Sequence, residues 1–541
     1  MTTSSGTARG WPALDVAASG VLASLTVVGA WVAYGDVGLN LADEGFLWYG
    51  ASRTIAGEVP LRDFQSYEPG RYYWIATWSP LLGDGLLGMR RAIFLFEVVG
   101  LLAGLRVARR LVAHPGWLVP IAIGLALWMF PHFKGFEHAL AMMAVYAGVR
   151  LVESPDRRTG IGVGLYLGLA AFFGRNHALY GALGVLALVA WLAWSGRVRR
   201  PLSCLGAIGL GGVVGSAPLW GMMLFVPGFA QGLWASVVFF VEHGANLPAP
   251  VPWPWRVDFA GLTAGVAVAH VFVGAAFLAV PIVYGIGLSL ALRRSAPASR
   301  ARDVVVASTL IGVCYLHHAA VRSDVSHLAQ AVHPALLAAL GLPAALGLST
   351  RGAGRWSIWL GLALFTLVVT PVANLPLATS LQGRTAPLVP LEVGGDVLRL
   401  PPGIARYVSR IEGVAKRHVD PEDSVFVAPF TPGLYGVLDK RSPVWGLYFL
   451  WRADEEGQNE MIRRFEAEAL DWAIVSTGAI DGREDLRFWN SHPRVWAWLQ
   501  REFDVVRDPA LPRGVVLLGR RGGGGGPGAT GRGVGPSRGT R

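Results

Sequence analysis

Long apolar runs separated by short polar breaks occupy the first 375 residues. The runs cover about 13–34, 86–105, 117–131, 138–152, 160–174, 177–195, 202–226, 260–291, 304–320, 326–349 and 356–375. Crossing a hydrocarbon core roughly 30 Å thick takes about 20 apolar residues in a helix. The pattern therefore predicts about eleven transmembrane helices. Beyond 375 the period changes. Residues 404–417 and "NEMIRRFEAEAL" (459–470) have helical amphipathic spacing, whereas "SVFVAP" (424–429), "WAIVST" (472–477) and "GVVLLG" (514–519) read as short strands. The expected fold class is a polytopic α-helical membrane protein with a small C-terminal α/β domain. Its expected divisions are a transmembrane domain over 1–375, an α/β domain over 376–519 and a low-complexity Gly/Arg tail over 520–541.

Two polar stretches interrupt the apolar pattern at greater length. Residues 36–85 form an outer loop in which "EGFLWYGASRTIAG" has apolar residues at roughly helical spacing. Its aromatics, with Trp48 and Tyr49 at the start, suit the level of the lipid headgroups. The Pro-rich "NLPAPVPWPWRVDF" (246–259) suits the same level.

Composition agrees with a membrane chain: 53% of residues are hydrophobic and 15% charged, against about 25% charged in soluble domains. The net charge of +11 does not point to nucleic acid, because the arginines gather in alternate loops. These clusters are Arg106/Arg109/Arg110, Arg150/Arg157/Arg158, Arg197/Arg199/Arg200, Arg293/Arg294/Arg300/Arg302 and Arg351/Arg355. By the positive-inside rule that side is cytoplasmic. The expected location is a bacterial inner (plasma) membrane, with a cytoplasmic N-terminus and an extracytoplasmic C-terminal domain. The opposite loops mix acids, histidines and single arginines, a mixture that suits a polar site at the outer rim. Cys204 and Cys314 both fall in apolar runs and form no metal or disulfide framework.

"ADEGFLWYG" (42–50) places Asp43 and Glu44 just after the first span. Adjacent residues do not share a helix face, so one acid can do chemistry while the other caps a helix start. The loop continues "GEVPLRDFQSYEPGRYYW" (57–74). Over about 35 residues this resembles the first outer loop of the GT-C glycosyltransferases, membrane enzymes that use polyprenyl-phosphate sugars. The protein O-mannosyltransferases (glycosyltransferase family 39) and the lipid A aminoarabinose transferases belong to that group. The matching positions are Asp43, Glu44, Gly57, Pro60, Glu68, Pro69 and Tyr72–Trp74. The family's Lys after the second acid is absent, since Pro69 follows Glu68 directly.

The resemblance implies an inverting hexosyl- or pentosyltransferase. Asp43 would be its catalytic base, with Glu44 and Glu68 beside it as further catalytic carboxylates. It also implies a polyprenyl-phosphate sugar as donor and a cell-envelope glycan, lipid or protein as acceptor. A lipid-phosphate leaving group needs cationic donors. Arg175 and His177 in "FFGRNHALYG", and Arg322 and His327 in "AAVRSDVSHLAQA", are the candidates. An Arg at a span end also snorkels for no functional reason. Asp324 stands three residues before His327 and so shares its helix face, where it could fix the imidazole tautomer. His132, Lys134 and His138 in "PHFKGFEHAL" are candidates for lining the cavity. A divalent cation, Mg²⁺ or Mn²⁺, would be the cofactor, with Asp43 and Glu68 as its carboxylates. No Walker A or His-Glu-x-x-His sequence occurs, and Gly211 and Gly215 are spaced for helix packing, not for a nucleotide loop. A lipid-linked glycan flippase or transporter, and a ligase-type transferase, are the alternative readings.

Overall fold

The apolar runs fold as helices in a computed structural model that describes residues 12–112, 114–244, 246–293, 299–348, 375–383 and 387–522. The chain forms two compact units that do not follow chain order. The first comprises Met1–Gly38, Thr54–Arg62 and Ser66–Leu388; the second comprises Leu39–Arg53, Asp63–Gln65 and Val389–Arg541. The expected span at 356–375, apart from its last residue, and most of the Gly-rich tail lie outside the described residues.

The helices in order are α1 (Pro12–Tyr34), α2 (Asp43–Ile55), α3 (Pro69–Leu82), α4 (Leu86–Ala108), α5 (Leu118–Leu127), α6 (Gly135–Glu153) and α7 (Arg157–Phe173). They continue with α8 (Arg175–Trp194), α9 (Pro201–Gly215), α10 (Ala217–Phe225), α11 (Phe229–His243), α12 (Ala264–Leu292), α13 (Arg300–Val321), α14 (Val325–Ala345) and α15 (Leu375–Gln382). Among the described residues, five are long and apolar enough to cross a membrane, or seven spans if each of two bent pairs counts as one. The chain is a multi-pass membrane protein. The expected span at 202–226 is one of the bent pairs, α9 and α10, which meet at 49°. Pro218 follows the break, and a proline can neither donate to the helical ladder nor avoid the carbonyl four residues back. The other break, between α5 and α6, turns the chain by 102°, and two histidines reach the backbone there. His138 Nε2 donates to the Phe130 carbonyl (2.9 Å) and His333 Nε2 to that of Leu125 (3.2 Å).

Helices α7 and α9 pack backbone to backbone. A methyl group added at Gly164 would strike the Ile208 carbonyl, and one at Gly211 or Gly215 the carbonyls of Ile161 or Leu165. The four-residue glycine spacing is thus a packing surface, as small residues are in membranes generally.

Ion pairs show which helix ends lie together in the first unit. Arg110 at the end of α4 pairs with Glu153 at the end of α6, and Arg197 after α8 pairs with Asp303 at the start of α13 (2.6 Å). At the opposite ends, Arg71 of α3 pairs with Glu137 of α6 (2.5 Å) and Glu68 with Arg175 of α8 (2.7 Å). The basic clusters and the mixed polar groups therefore occupy opposite ends of α6 and α8.

The second unit contains a hairpin, β1 (Val389–Val393) and β2 (Asp396–Leu400), joined by Gly394 and Gly395 at positive φ, as a tight two-residue hairpin turn demands. It also contains a four-stranded sheet of β3 (Val425–Ala428), β4 (Trp472–Ser476), β5 (Phe503–Val506) and β6 (Val515–Arg520), in the order β3-β4-β6-β5. β3 and β4 run parallel; the other pairs are antiparallel. The expected strands are β3, β4 and β6, and the expected helices appear as α16 (Pro402–His418) and, beyond the short α17 (Gly433–Val437), α18 (Glu455–Ala467).

Helix α2 up to Arg53 belongs to this second unit. Phe46, Leu47, Trp48 and Tyr49 are all under 5% exposed. A helix apolar on every side is buried in protein, so Trp48 and Tyr49 do not lie at a lipid interface as their composition suggests. Trp48 packs on Gly394 and Gly436, and the Tyr49 hydroxyl accepts from Ser442 N (3.1 Å). Gly45 meets the backbone of Gly433, whose N–H donates to the Leu41 carbonyl (2.8 Å). Neither backbone can yield to a side chain. Gly45→Ala is expected to destabilise this unit by about 1–3 kcal/mol, read as earlier thermal unfolding and faster proteolysis after residue 389.

Candidate functional site

The start of α2 assigns separate tasks to its polar residues. Asn40 Oδ1 accepts from the backbone N–H groups of Ala42 (2.9 Å) and Asp43 (3.1 Å), and Glu44 Oε2 accepts from Asn40 N (3.2 Å). This is reciprocal capping, which satisfies N–H groups that a helix start leaves open. Glu44 is 1% exposed, and its carboxylate serves the helix start. Asp43 is half-buried and takes no part in the capping. Its Oδ1 accepts a hydrogen bond from the Tyr448 hydroxyl (2.9 Å). Among the described residues its Oδ2 makes no hydrogen bond.

In the first unit, Glu68 stands at the N-terminal boundary of α3 without capping it. Its Oε1 accepts from Arg175 Nε (2.7 Å), and Arg175 NH1 donates to Ser236 Oγ (2.9 Å). Arg175 is thus paired inward rather than snorkelling outward. Nearby, Arg71 Nε donates to the Phe173 carbonyl (2.7 Å) and its NH1 to Glu137. Lys134 Nζ donates to the Tyr67 hydroxyl (2.7 Å), and the Arg71 guanidinium also lies over the Tyr67 ring. Lys134 therefore brings a lysine to the residue preceding Glu68, in a loop that lacks one in its own sequence.

A second polar group continues from α8. Asn176 and His177 follow Arg175. The His177 Nδ1 lies 3.2 Å from the Tyr315 hydroxyl, and Asn176 Nδ2 lies 3.5 Å from His318 Nδ1. His318 Nε2 donates to Gln330 Oε1 (3.1 Å), and its ring lies 5.7 Å from that of His327. His327 contacts Asp324 through Nδ1 (2.9 Å), and Asp324 Oδ2 accepts from Arg322 Nε (2.8 Å). Arg322 also donates to the Leu247 carbonyl in the Pro-rich loop (3.1 Å). Residues from four helix ends, far apart in sequence, thus gather in one polar cluster: Glu68 with Arg175, Asn176 with His318, and His327 with Asp324 and Arg322, the last two groups meeting through the His318 and His327 rings.

Asp324 also caps α14, accepting from His327 N (2.9 Å). An ionised carboxylate only accepts, so the His327 Nδ1 proton points at Asp324 and Nε2 is the nitrogen left to face a ligand. Burial acts to raise the Asp324 carboxyl, but bonds and charge from His327 and Arg322 win and hold it at about 2. A depressed carboxyl contributes its stability above its unfolded value, ~3.9, and loses it as pH falls through its folded value. Exchange protection of the His327 amide is expected to persist from pH 7 to pH 4 and to fail only as pH falls through about 2; peptide-level hydrogen exchange over 322–330 reads this directly.

His132 is buried beside Phe133. His138 is fully buried and bound to the Phe130 carbonyl, where it serves the helix break. Among the described residues no group of three or more His, Cys, Asp or Glu side chains is arranged to hold a metal ion. Glu68 already meets a cation, the Arg175 guanidinium, and Asp43 belongs to the other compact unit.

Sequence reasoning passed over Arg71, Asn40, Gln330 and Tyr448. Arg71 lies within "EPGRYYW", one turn after Glu68, and was legible as an isolated cation in an outer loop. Tyr448 had no signal, being some 405 positions from its partner.

No family model matches the chain, and no curated protein matches its sequence. Solved structures do. ArnT from Cupriavidus metallidurans in the apo state is 14% identical, with 94% of this chain and 98% of that chain covered and a TM-score of 0.50. The same protein bound to undecaprenyl phosphate gives 17%, 96%, 100% and 0.51. The Archaeoglobus fulgidus oligosaccharyltransferase tethered to an acceptor peptide gives 11%, 93%, 74% and 0.44. At these identities the likeness to ArnT is one of fold.

Proposed function

We propose, for a chain that has the GT-C fold, that it is an inverting membrane glycosyltransferase. It moves one sugar from a polyprenyl-phosphate carrier to an acceptor hydroxyl on the extracytoplasmic face. Asp43 Oδ2 takes the acceptor proton. The acceptor oxygen bonds to the anomeric carbon as the bond from that carbon to the phosphate oxygen breaks. The electron pair leaves with the lipid phosphate. Arg322 and His327, with Arg175, Lys134 and His177 in support, are assigned to the phosphate, where negative charge grows as the bond breaks. Glu68 keeps the Arg175 guanidinium in place.

What carries the reading is the arrangement at the start of α2. Asn40 and Glu44 do the capping, so a half-exposed carboxylate at Asp43 is left for proton transfer. The structural likeness to ArnT bound to undecaprenyl phosphate supports the class of donor. No step here runs through a metal ion.

The test is transfer by the purified, reconstituted protein from a panel of donors: polyprenyl-monophosphate hexoses and pentoses, polyprenyl-diphosphate glycans and nucleotide sugars. Turnover with a monophosphate sugar alone is expected. Turnover with a diphosphate glycan alone would replace this reading with that of a ligase-type transferase.

A further inference from the structure

The C-terminal part of the chain contacts the acid assigned as the base. Asp43 and Phe46 are three residues apart on α2 and so share a face. The Tyr448 ring stacks on Phe46 at 4.3 Å and 23°, and packs against Phe430 at 4.7 Å. The backbone carrying Tyr448 is held as well. Gln65 Oε1 accepts from Leu447 N (2.8 Å) and Tyr448 N (2.9 Å), and Gln65 N donates to the Trp445 carbonyl (2.8 Å). Phe449 N donates to the Pro429 carbonyl (3.0 Å). Ring, backbone and hydroxyl are thus each fixed, and the hydroxyl ends 2.9 Å from Asp43 Oδ1. All of these residues belong to the second compact unit.

We propose that Tyr448 is a positioning residue for the reaction: its hydroxyl binds Asp43 Oδ1, fixes the carboxylate and presents Oδ2 to the acceptor proton. This rests on Asp43 being the base. A donor to the charged form of a carboxylate favours that form, and the Tyr448 hydroxyl is such a donor. The same bond stops rotation of the carboxylate, which otherwise exchanges its two oxygens. The role gives the part of the second unit that follows residue 389 a share in the chemistry through one phenol. It also accounts for the separate hold that Gln65 has on the Tyr448 backbone.

The test compares log kcat against pH for the full-length wild type, Tyr448→Phe and Asp43→Asn, with thermal unfolding measured in parallel. Phe keeps the stacked ring and removes only the hydroxyl. The acid limb of the Tyr448→Phe profile is expected to move to higher pH, with kcat at neutral pH about 3–10-fold lower and KM within about twofold of the wild type. If Asp43→Asn abolishes transfer and Tyr448→Phe leaves the acid limb where it was, the positioning role is overturned and the base assignment stands. If Asp43→Asn transfers normally, the base assignment itself is wrong. Should Tyr448→Phe fail to fold, 3-fluorotyrosine at 448 answers the same question. It keeps ring and hydroxyl but makes a more acidic donor, and the acid limb is expected to move down; an unmoved limb overturns the proposal.

Discussion

Asp43→Asn is expected to lower kcat by about 10²–10⁴-fold, the range that a positioned general base contributes, while KM for the donor changes little. The substitution is nearly isosteric, and an Asn carbonyl can still accept from the Tyr448 hydroxyl that now bonds Oδ1. Capping at the start of α2 depends on Asn40 and Glu44, not on the Asp43 side chain. Thermal unfolding should therefore stay within about 0.5 kcal/mol of the wild type, as for substitutions that touch no structural feature. Glu44→Ala provides the contrast. It removes the reciprocal bond to Asn40 N, so it should destabilise by about 1 kcal/mol, with most of the turnover retained in the protein that folds. Single-turnover transfer and thermal melts in the same detergent separate the two outcomes. Equal loss of turnover in both variants with equal loss of stability would mean that Asp43 acts only through the fold.

The largest stability effect is expected at Arg71. The Arg71–Glu137 pair is 3% and 5% exposed at its side chains, and Arg71 also supports the Phe173 carbonyl at the end of α7. Removing one partner of a buried pair leaves the other charge without its nearest counterion and without water. Arg71→Met should cost about 3–5 kcal/mol. Glu137 would keep some compensation, because it lies in the first turn of α6, where the helix dipole favours an anion. The double variant Arg71→Met/Glu137→Leu should recover much of the loss, since an apolar pair in the same volume has no charge to desolvate. A double-mutant cycle on unfolding midpoints measures the coupling. If the double variant is no more stable than Arg71→Met, the pair is held by something other than its mutual charge.

Much of the membrane part was legible because the bilayer imposes a local rule. Every spanning segment must be long, apolar and helical, and each of those demands is written in consecutive residues. The two kinds of helix end were legible for the same reason, since arginines in alternate loops mark one end of α6 and α8. The packing glycines at 211 and 215 were legible as a spacing. Helix α2 was legible as a helix but not as a buried one. Its aromatics read equally well as interfacial residues, and only the backbone contact of Gly45 with Gly433 shows why they are enclosed.

The candidate site divides along the same line. Asp324 and His327 are three residues apart, so their contact follows from the pitch of a helix, and the sequence alone was enough to expect it. Glu68 and Arg175 were each visible as polar residues beside apolar runs. Their pairing, over 107 positions, was not. Nor was the relief of Asp43 from capping by Asn40, because Asp and Asn are about equally good at that task and a sequence does not rank them.

The sequence by itself determined the class of protein, the positions of most apolar helices, three strands of the C-terminal sheet and the list of charged groups that do not belong in a lipid-facing chain. Tertiary structure alone decided which of those groups hold one another and that residues 39–53 fold with the C-terminal unit. It alone brought a tyrosine at 448 to the acid at 43. The reason is physical. Hydrophobicity and helix pitch act over neighbouring residues and leave a periodic trace, whereas an ion pair or a hydrogen bond needs only two side chains at one point in space. Their distance along the chain leaves no trace of that.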